Sequence, residues 1–204
     1  MPGRRVVTDE EMAQLGGIGQ YAGDVSDAVL LTSRGGNAYD RTFMEAFIRP
    51  GPGLNNWTSR TNYPAHGIVQ TGPAEMSMYV QRNYGQDDHH LQRLTMRLDG
   101  LASVNAPYEG GTMTTKPLVF SGNRLVLNFA TSAAGAIRVE LQDESGAPFP
   151  GYAAADCDEI VGDRIEYAVT WNGNSDVSGL AGKPVRMKLI LKDADVFSMR
   201  FVHN

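Results

Sequence analysis

The chain has 204 residues, 42% hydrophobic and 20% charged, an ordinary globular composition that suits one domain or two small ones. A formal net charge of -5 with no basic run argues against nucleic acid as a partner, because phosphate contacts need a basic face. No stretch approaches the ~18 apolar residues of a membrane-spanning helix, and Arg4 and Arg5 are not followed by the apolar core of an export signal. The expectation is a soluble protein with no membrane partner, either cytoplasmic or exported with its signal removed. The single cysteine, Cys157, excludes an internal disulfide and a Cys-rich metal site. It reads as a small buried hydrophobe. No motif calls for a cofactor.

In chain order, Asp9 stands as the cap of a short helix through Leu15, which Gly16 and Gly17 end. The apolar run Asp27–Thr32 stops at Ser33-Arg34-Gly35-Gly36-Asn37, a turn signal. Tyr39 to Arg49 reads as extended. Pro50-Gly51-Pro52-Gly53 fits neither a helix nor a central strand, so a loop is predicted there, continuing through Trp57. Gly67–Gln70 and Glu75–Gln81 form a strand pair, the second alternating polar and apolar. The polar turn Asn83–His90 leads to Leu91–Leu98, which also fits an amphipathic helix and is read as a strand because the Gly100 and Pro107 boundaries keep it short.

From Pro107 onward, short alternating runs separated by turn residues predict a β-sandwich of jelly-roll type. The runs are Leu118–Phe120, Arg124–Phe129, Ile137–Leu141, Ile165–Trp171, Val185–Leu191 and Asp195–Val202. The turns between them include Ser121-Gly122-Asn123, Asp143–Gly146 and Asn172-Gly173-Asn174. The fold class is therefore all-β. The expected divisions are an N-terminal segment 1–23, a β region 24–106 and a sandwich 107–204.

Several segments carry a family resemblance: Phe43–Gly51, Pro64–Thr71 with Glu75–Tyr79, Thr114–Leu118, Asp156–Trp171, and Leu180–Arg186 with Asp193-Ala194-Asp195. Through these the chain resembles the C-terminal part of bacterial glycoside hydrolase family 32/43-like proteins. The resemblance implies a five-bladed β-propeller followed by a β-sandwich. A four-stranded blade takes about 40 to 50 residues, so the region before the sandwich has room for about two. A partial propeller-like region is expected there, without all the blades that bear catalytic carboxylates in such hydrolases.

Glycoside hydrolysis needs two carboxylates flanking the bond. Asp27, Glu45 and Glu75 are the candidates, with a solvated strand face or an ion pair to Arg49 or Arg60 as the alternative. Trp57, Arg60, Asn62, Tyr63 and His66 lie in or beside the Gly/Pro loop and are the candidate substrate-binding set. Aromatic faces stack on sugars, and the polar groups bond hydroxyls. The alternative is loop structure, with Trp57 plugging a core and Asn62 closing a turn. Asp87-Asp88-His89-His90 reads as a polar hairpin tip and Asp193/Asp195 as a turn or strand edge, so no metal site is assigned. Asn56-Trp57-Thr58 matches a glycosylation sequon.

Three functions follow from these readings. The first is a carbohydrate-related binding or accessory module, not catalytic alone. The second is a glycosidase with its acid/base pair in the propeller-like region. The third is an assembly module, a homo-oligomer joined through open strand edges. The first is preferred, with an oligo- or polysaccharide as partner.

Overall fold

The computed structural model describes residues 5–203. Arg4, weighed above as part of an export signal, lies outside them. The protein is all-β: strands make up 43% of it, in antiparallel sheets that include a curled half-barrel. Among the described residues no helix is long and apolar enough to cross a membrane. The chain divides into two compact units between Met96 and Arg97.

The N-terminal unit opens with a six-residue helix, α1 (Asp9–Gln14). Its cap is Thr8, not Asp9. The Thr8 side chain accepts from the Glu11 N–H and the Glu11 carboxylate accepts from the Thr8 N–H, a reciprocal capping box. Asp9, Glu10 and Glu11 then fill the first turn, where the helix dipole favours negative charge. Two short strands follow, β1 (Ala28–Val29) and β2 (Ala46–Ile48), paired antiparallel. Between them a Thr32–Asp40 bridge closes the Ser33–Asn37 turn, where Gly35 and Gly36 take positive φ. The loop after Pro50 ends in a 3-10 turn, Leu54–Trp57. A second sheet contains β3 (Tyr63–Pro64), β4 (Val69–Gly72), β5 (Glu75–Arg82) and β6 (His90–Arg97). In it β5 pairs with β3 and β4 along its length and with β6 as well.

This unit has little apolar interior. Val7, Met12 and Ala22 form one small cluster, and Ile48, Met78 and Val80 form another. Between 58 and 86 the buried side chains are largely polar: Thr58, Ser59, Thr61, Asn62, Ser77, Asn83 and Gln86. Buried polar groups cost stability unless they are hydrogen-bonded. Here many are: Thr58 donates to Ala22 O at 3.2 Å, Thr61 Oγ1 accepts from Asn83 N at 2.8 Å, and Gln86 donates to Asn55 O at 2.8 Å. The same stretch holds Ser59, Arg60, Asn62 and Asn83 at positive φ.

The C-terminal unit is built on one sheet, of β7 (Val104–Ala106), β8 (Gly111–Thr114), β9 (Arg124–Gln142), β10 (Asp163–Ala168) and β11 (Arg186–Val202). The pairs of runs read separately from sequence, 124–129 with 137–141 and 185–191 with 195–202, are single strands of 19 and 17 residues. The two long strands pair along their whole length, with register shifts in the middle. The two expected layers are thus halves of one sheet that bends over a common core. Leu125, Leu127 and Phe129 from the first half of β9 share that core with Ile137, Val139 and Leu141 from the second. All six are fully buried, and each side chain withdrawn from water stabilises by about 1.5–3 kcal/mol. Strand β7 precedes Pro107 yet pairs with β11, so the sheet starts before the expected boundary. Leu118–Phe120 forms no strand, only a bridge from Leu118 to Val185.

Long turns between β9, β10 and β11 cover the core. Trp171 enters it with its indole N–H donating to Val139 O at 2.9 Å, and packs edge-on against Tyr152. Asp158 holds the turn beside it, accepting from the Thr170 hydroxyl at 2.6 Å and Gly173 N–H at 2.8 Å. These bonds favour the carboxylate and pull its pKa down. A folded-state pKa below the unfolded one gives stability that is present above the unfolded value and lost as pH falls through the folded one. Asp143 and Asp176 are shifted the same way by similar bonds. Acid unfolding followed by circular dichroism should therefore show a less steep acid limb in Asp158→Asn than in the native chain.

Candidate functional site

The N-terminal unit carries a cleft of about 750 Å³ lined by Val25, Ser26, Asp27, Arg41, Ala46, Arg49, Pro50, Gly51 and Trp57. The local folding explains this gathering. Strands β1 and β2 run antiparallel with Ala28 opposite Ile48, so the flanking residues Asp27 and Arg49 come to the same end of the pair. The Thr32–Asp40 bridge sets Arg41 at the start of the return segment. Pro50 and Gly51 turn the chain away, and the 3-10 turn brings Trp57 back. The Trp57 indole N–H donates to Gly51 O at 2.9 Å, which fixes the ring as a wall of the cleft. Its other side packs against the Val7, Met12 and Ala22 cluster.

Of the three candidate carboxylates, only Asp27 lines this cleft. Glu45 is exposed and lies outside its lining. Glu75 sits on the β4–β5 hairpin, ion-paired with Arg93 and accepting from Thr71 Oγ1 at 2.7 Å. Its ion-pair partner is neither Arg49 nor Arg60. The arrangement does not gather an acid/base pair in the cleft.

The candidate binding residues are also dispersed. Trp57 lines the cleft. Arg60 donates from Nε to Asp24 Oδ2 at 2.7 Å and lies over the Tyr21 ring at 4.4 Å. The Asp24 hydrogen bond raises its pKa, so the guanidinium is committed locally. Asn62 is not a surface group: it is buried, at φ +73°, and its amide donates to Ser26 O at 2.9 Å and Asn56 O at 3.2 Å. Its carbonyl oxygen accepts from Arg82, whose pKa burial lowers. Asn62 therefore positions the segments that carry Asp27 and Trp57. Tyr63 is half exposed on β3, opposite Gln81. Its pairing puts it on the β5 face that also bears exposed Tyr79. His66 is exposed in the loop that follows.

Sequence reading missed Arg41 as a cleft residue and named Arg49 only as a possible ion-pair partner. Neither lies in an alternating run, and only the strand pairing brings them together. Asp87–His89 lies in the turn between β5 and β6 and His90 opens β6, with Asp88 accepting from Asn83 at 2.7 Å and His89 edge-on to Tyr84. Asp195 accepts from Ser103 at 2.6 Å and Asn105 at 3.0 Å. Among the described residues no three His, Cys, Asp or Glu side chains converge as a metal site. In the sequon, Thr58 is fully buried and the Asn56 amide donates to Pro52 O at 2.8 Å.

In the C-terminal unit a smaller groove of about 400 Å³ lies among Arg124, Val126, Glu166, Ala168, Arg200, Val202 and His203. Glu166 and Arg200 neutralise one another there. Cys157 is buried, its sulfur accepting from Val139 N at 3.2 Å. Burial pushes its thiol pKa up, which keeps it protonated and weakly nucleophilic. No model of a known protein family matches the chain, and no curated protein or solved structure matches it.

Proposed function

We propose that this chain is a carbohydrate-binding module without hydrolytic activity of its own, and that its ligand occupies the Asp27–Trp57 cleft. The observation that carries the reading is the combination in one cleft of a fixed indole wall with the polar groups Asp27, Arg41 and Arg49. An immobilised aromatic face offers apolar contact to a sugar ring, and charged groups at its rim bond hydroxyls. The same ligand class is what the resemblance to the C-terminal part of glycoside hydrolase family 32/43-like proteins, read from the sequence, would imply. Against catalysis stands the lining among the described residues, which offers one carboxylate, since either glycosidase geometry needs two, about 5 to 9.5 Å apart.

The test is a glycan-panel binding measurement with product analysis on the same samples. Retention of an oligosaccharide without cleavage is the expected result. Trp57→Ala should weaken it about tenfold, the loss of roughly 1.4 kcal/mol of aromatic contact. Because Trp57 also packs on the Val7 cluster, Asp27→Asn serves as a second variant at an exposed position and should weaken binding as well. Sugar release by the native chain, abolished in Asp27→Asn, overturns the non-catalytic reading. Failure of the folded native chain to bind any glycan overturns the carbohydrate reading.

A further inference from the structure

The lining of the cleft is charged unequally. Among the described residues it holds two guanidiniums, Arg41 and Arg49, and one carboxylate, Asp27. Among the described residues none of the three forms an ion pair; the acids that do pair are partnered by Arg5, Arg60, Arg93, Arg97, Arg138 and Arg200. The chain as a whole carries a net charge of -5. Its cleft thus has a local positive excess on a molecule that otherwise repels anions. Long-range attraction cannot be the reason an anion settles there, because the overall field opposes it. A local fork must supply the binding. Guanidinium presents planar paired donors that match carboxylate and sulfate oxygens, and it stays charged at any working pH.

Resting on the carbohydrate reading, we infer that the cleft selects acidic saccharides, with the anionic substituent held by Arg41 and Arg49 and the ring against Trp57. Asp27 then accepts from sugar hydroxyls and turns away a second anionic group placed at its side of the cleft. Uronate carboxylates and sulfate esters share this chemistry. The site therefore distinguishes charged from neutral rings before it distinguishes the two kinds of anion.

The experiment is titration calorimetry of the full chain with three probes of equal length: an oligogalacturonate, its carboxyl-reduced neutral counterpart, and a sulfated galacto-oligosaccharide. At least one acidic probe should bind about tenfold or more tightly than the neutral one, the value of one charge-assisted hydrogen bond. Its affinity should fall as salt is raised, while that of the neutral probe stays level. Arg41→Gln with Arg49→Gln should remove the acidic preference, so that acidic and neutral probes bind alike and the salt dependence of the acidic probes disappears. Both positions are exposed, so the fold should survive; Arg41→Lys with Arg49→Lys keeps the charge but loses the fork, and should retain only part of the preference. Equal binding of all three probes overturns this inference and leaves the carbohydrate reading standing. No binding of any probe, with the neutral members of the wider panel also silent, overturns both.

Discussion

Gly135→Ala should destabilise the C-terminal unit by about 3 kcal/mol or more, the upper range for forcing atoms into a packed site. The reason lies in the register of the two long strands. Thr131 pairs with Ala194 and Ala136 with Lys192, so Ser132, Ala133, Ala134 and Gly135 stand opposite the single residue Asp193. This is an enlarged bulge, and bulges bend a strand and sharpen its twist. It marks the middle of β9, where the sheet must turn for Leu125–Phe129 and Ile137–Leu141 to share one core. The bend brings the backbone of β11 against Gly135 so closely that a Cβ there would lie 2.3 Å from Asp193 O and 2.7 Å from Lys192 O. Both atoms are main chain and cannot step aside as the end of a side chain can. Asp193 itself takes φ +42°, so its backbone has little room to relax. Urea unfolding followed by Trp171 fluorescence, with Trp57 replaced by Phe to silence the other unit, measures the loss. Gly179→Ala is the control: its Cβ meets nothing within 4 Å, and the midpoint should hardly move. An unchanged midpoint in Gly135→Ala would mean that the bulge can open without cost and that the bend is not set there.

Much of the C-terminal unit was legible in the sequence because period-two alternation reports directly on which side chains meet the core. Leu125, Leu127 and Phe129, then Ile137, Val139 and Leu141, were marked this way and all are buried. What alternation does not report is continuity. The small residues between Ala130 and Gly135 stand between two runs that were read as separate strands, because nothing local tells a loop from a strand that bulges and continues. One sheet was therefore read as several short strands. The N-terminal unit was less legible for a different reason. Its interior around 58–86 is polar, so nothing in the sequence marks Thr58, Thr61 and Asn62 as interior, although they are buried in a hydrogen-bonded network. That inversion affected the candidate site most. Asn62 was read as a ligand group and is a support, while the cleft charges Arg41 and Arg49 come together only through the pairing of β1 with β2. Trp57 and Asp27, named as an aromatic in a Gly/Pro loop and an acid at a strand start, both line the cleft.

Asn62→Ala should cost the N-terminal unit about 4.5 to 6 kcal/mol and weaken ligand binding without touching the ligand. Three losses combine. The side-chain amide gives up bonds to Ser26 O and Asn56 O, each worth about 1 kcal/mol net. Arg82 loses the oxygen it donates to, and a hydrogen bond to a charged group is worth about 1.5–3 kcal/mol. Alanine must also adopt φ +73°, a region that Asn tolerates better through its short polar side chain. Ser26 precedes Asp27 and Asn56 precedes Trp57, so Asn62 ties together two segments that line the cleft. Their separation should blur the fixed indole wall as well as lower stability. Asn62→Gly divides these effects, because glycine removes the bonds but accepts the positive φ. It should recover about 1 kcal/mol relative to alanine and none of the binding loss. Native-state hydrogen exchange reads the outcome at the Ser59 and Arg60 amides, which bond to Tyr21 O at 3.1 Å and Asp24 O at 3.0 Å. Protection at both should fall in Asn62→Ala while the amides of β9 and β11 keep theirs. Full protection with intact binding would assign the cleft's rigidity to the Trp57–Gly51 bond instead, and Asn62 would then be an ordinary buried turn residue.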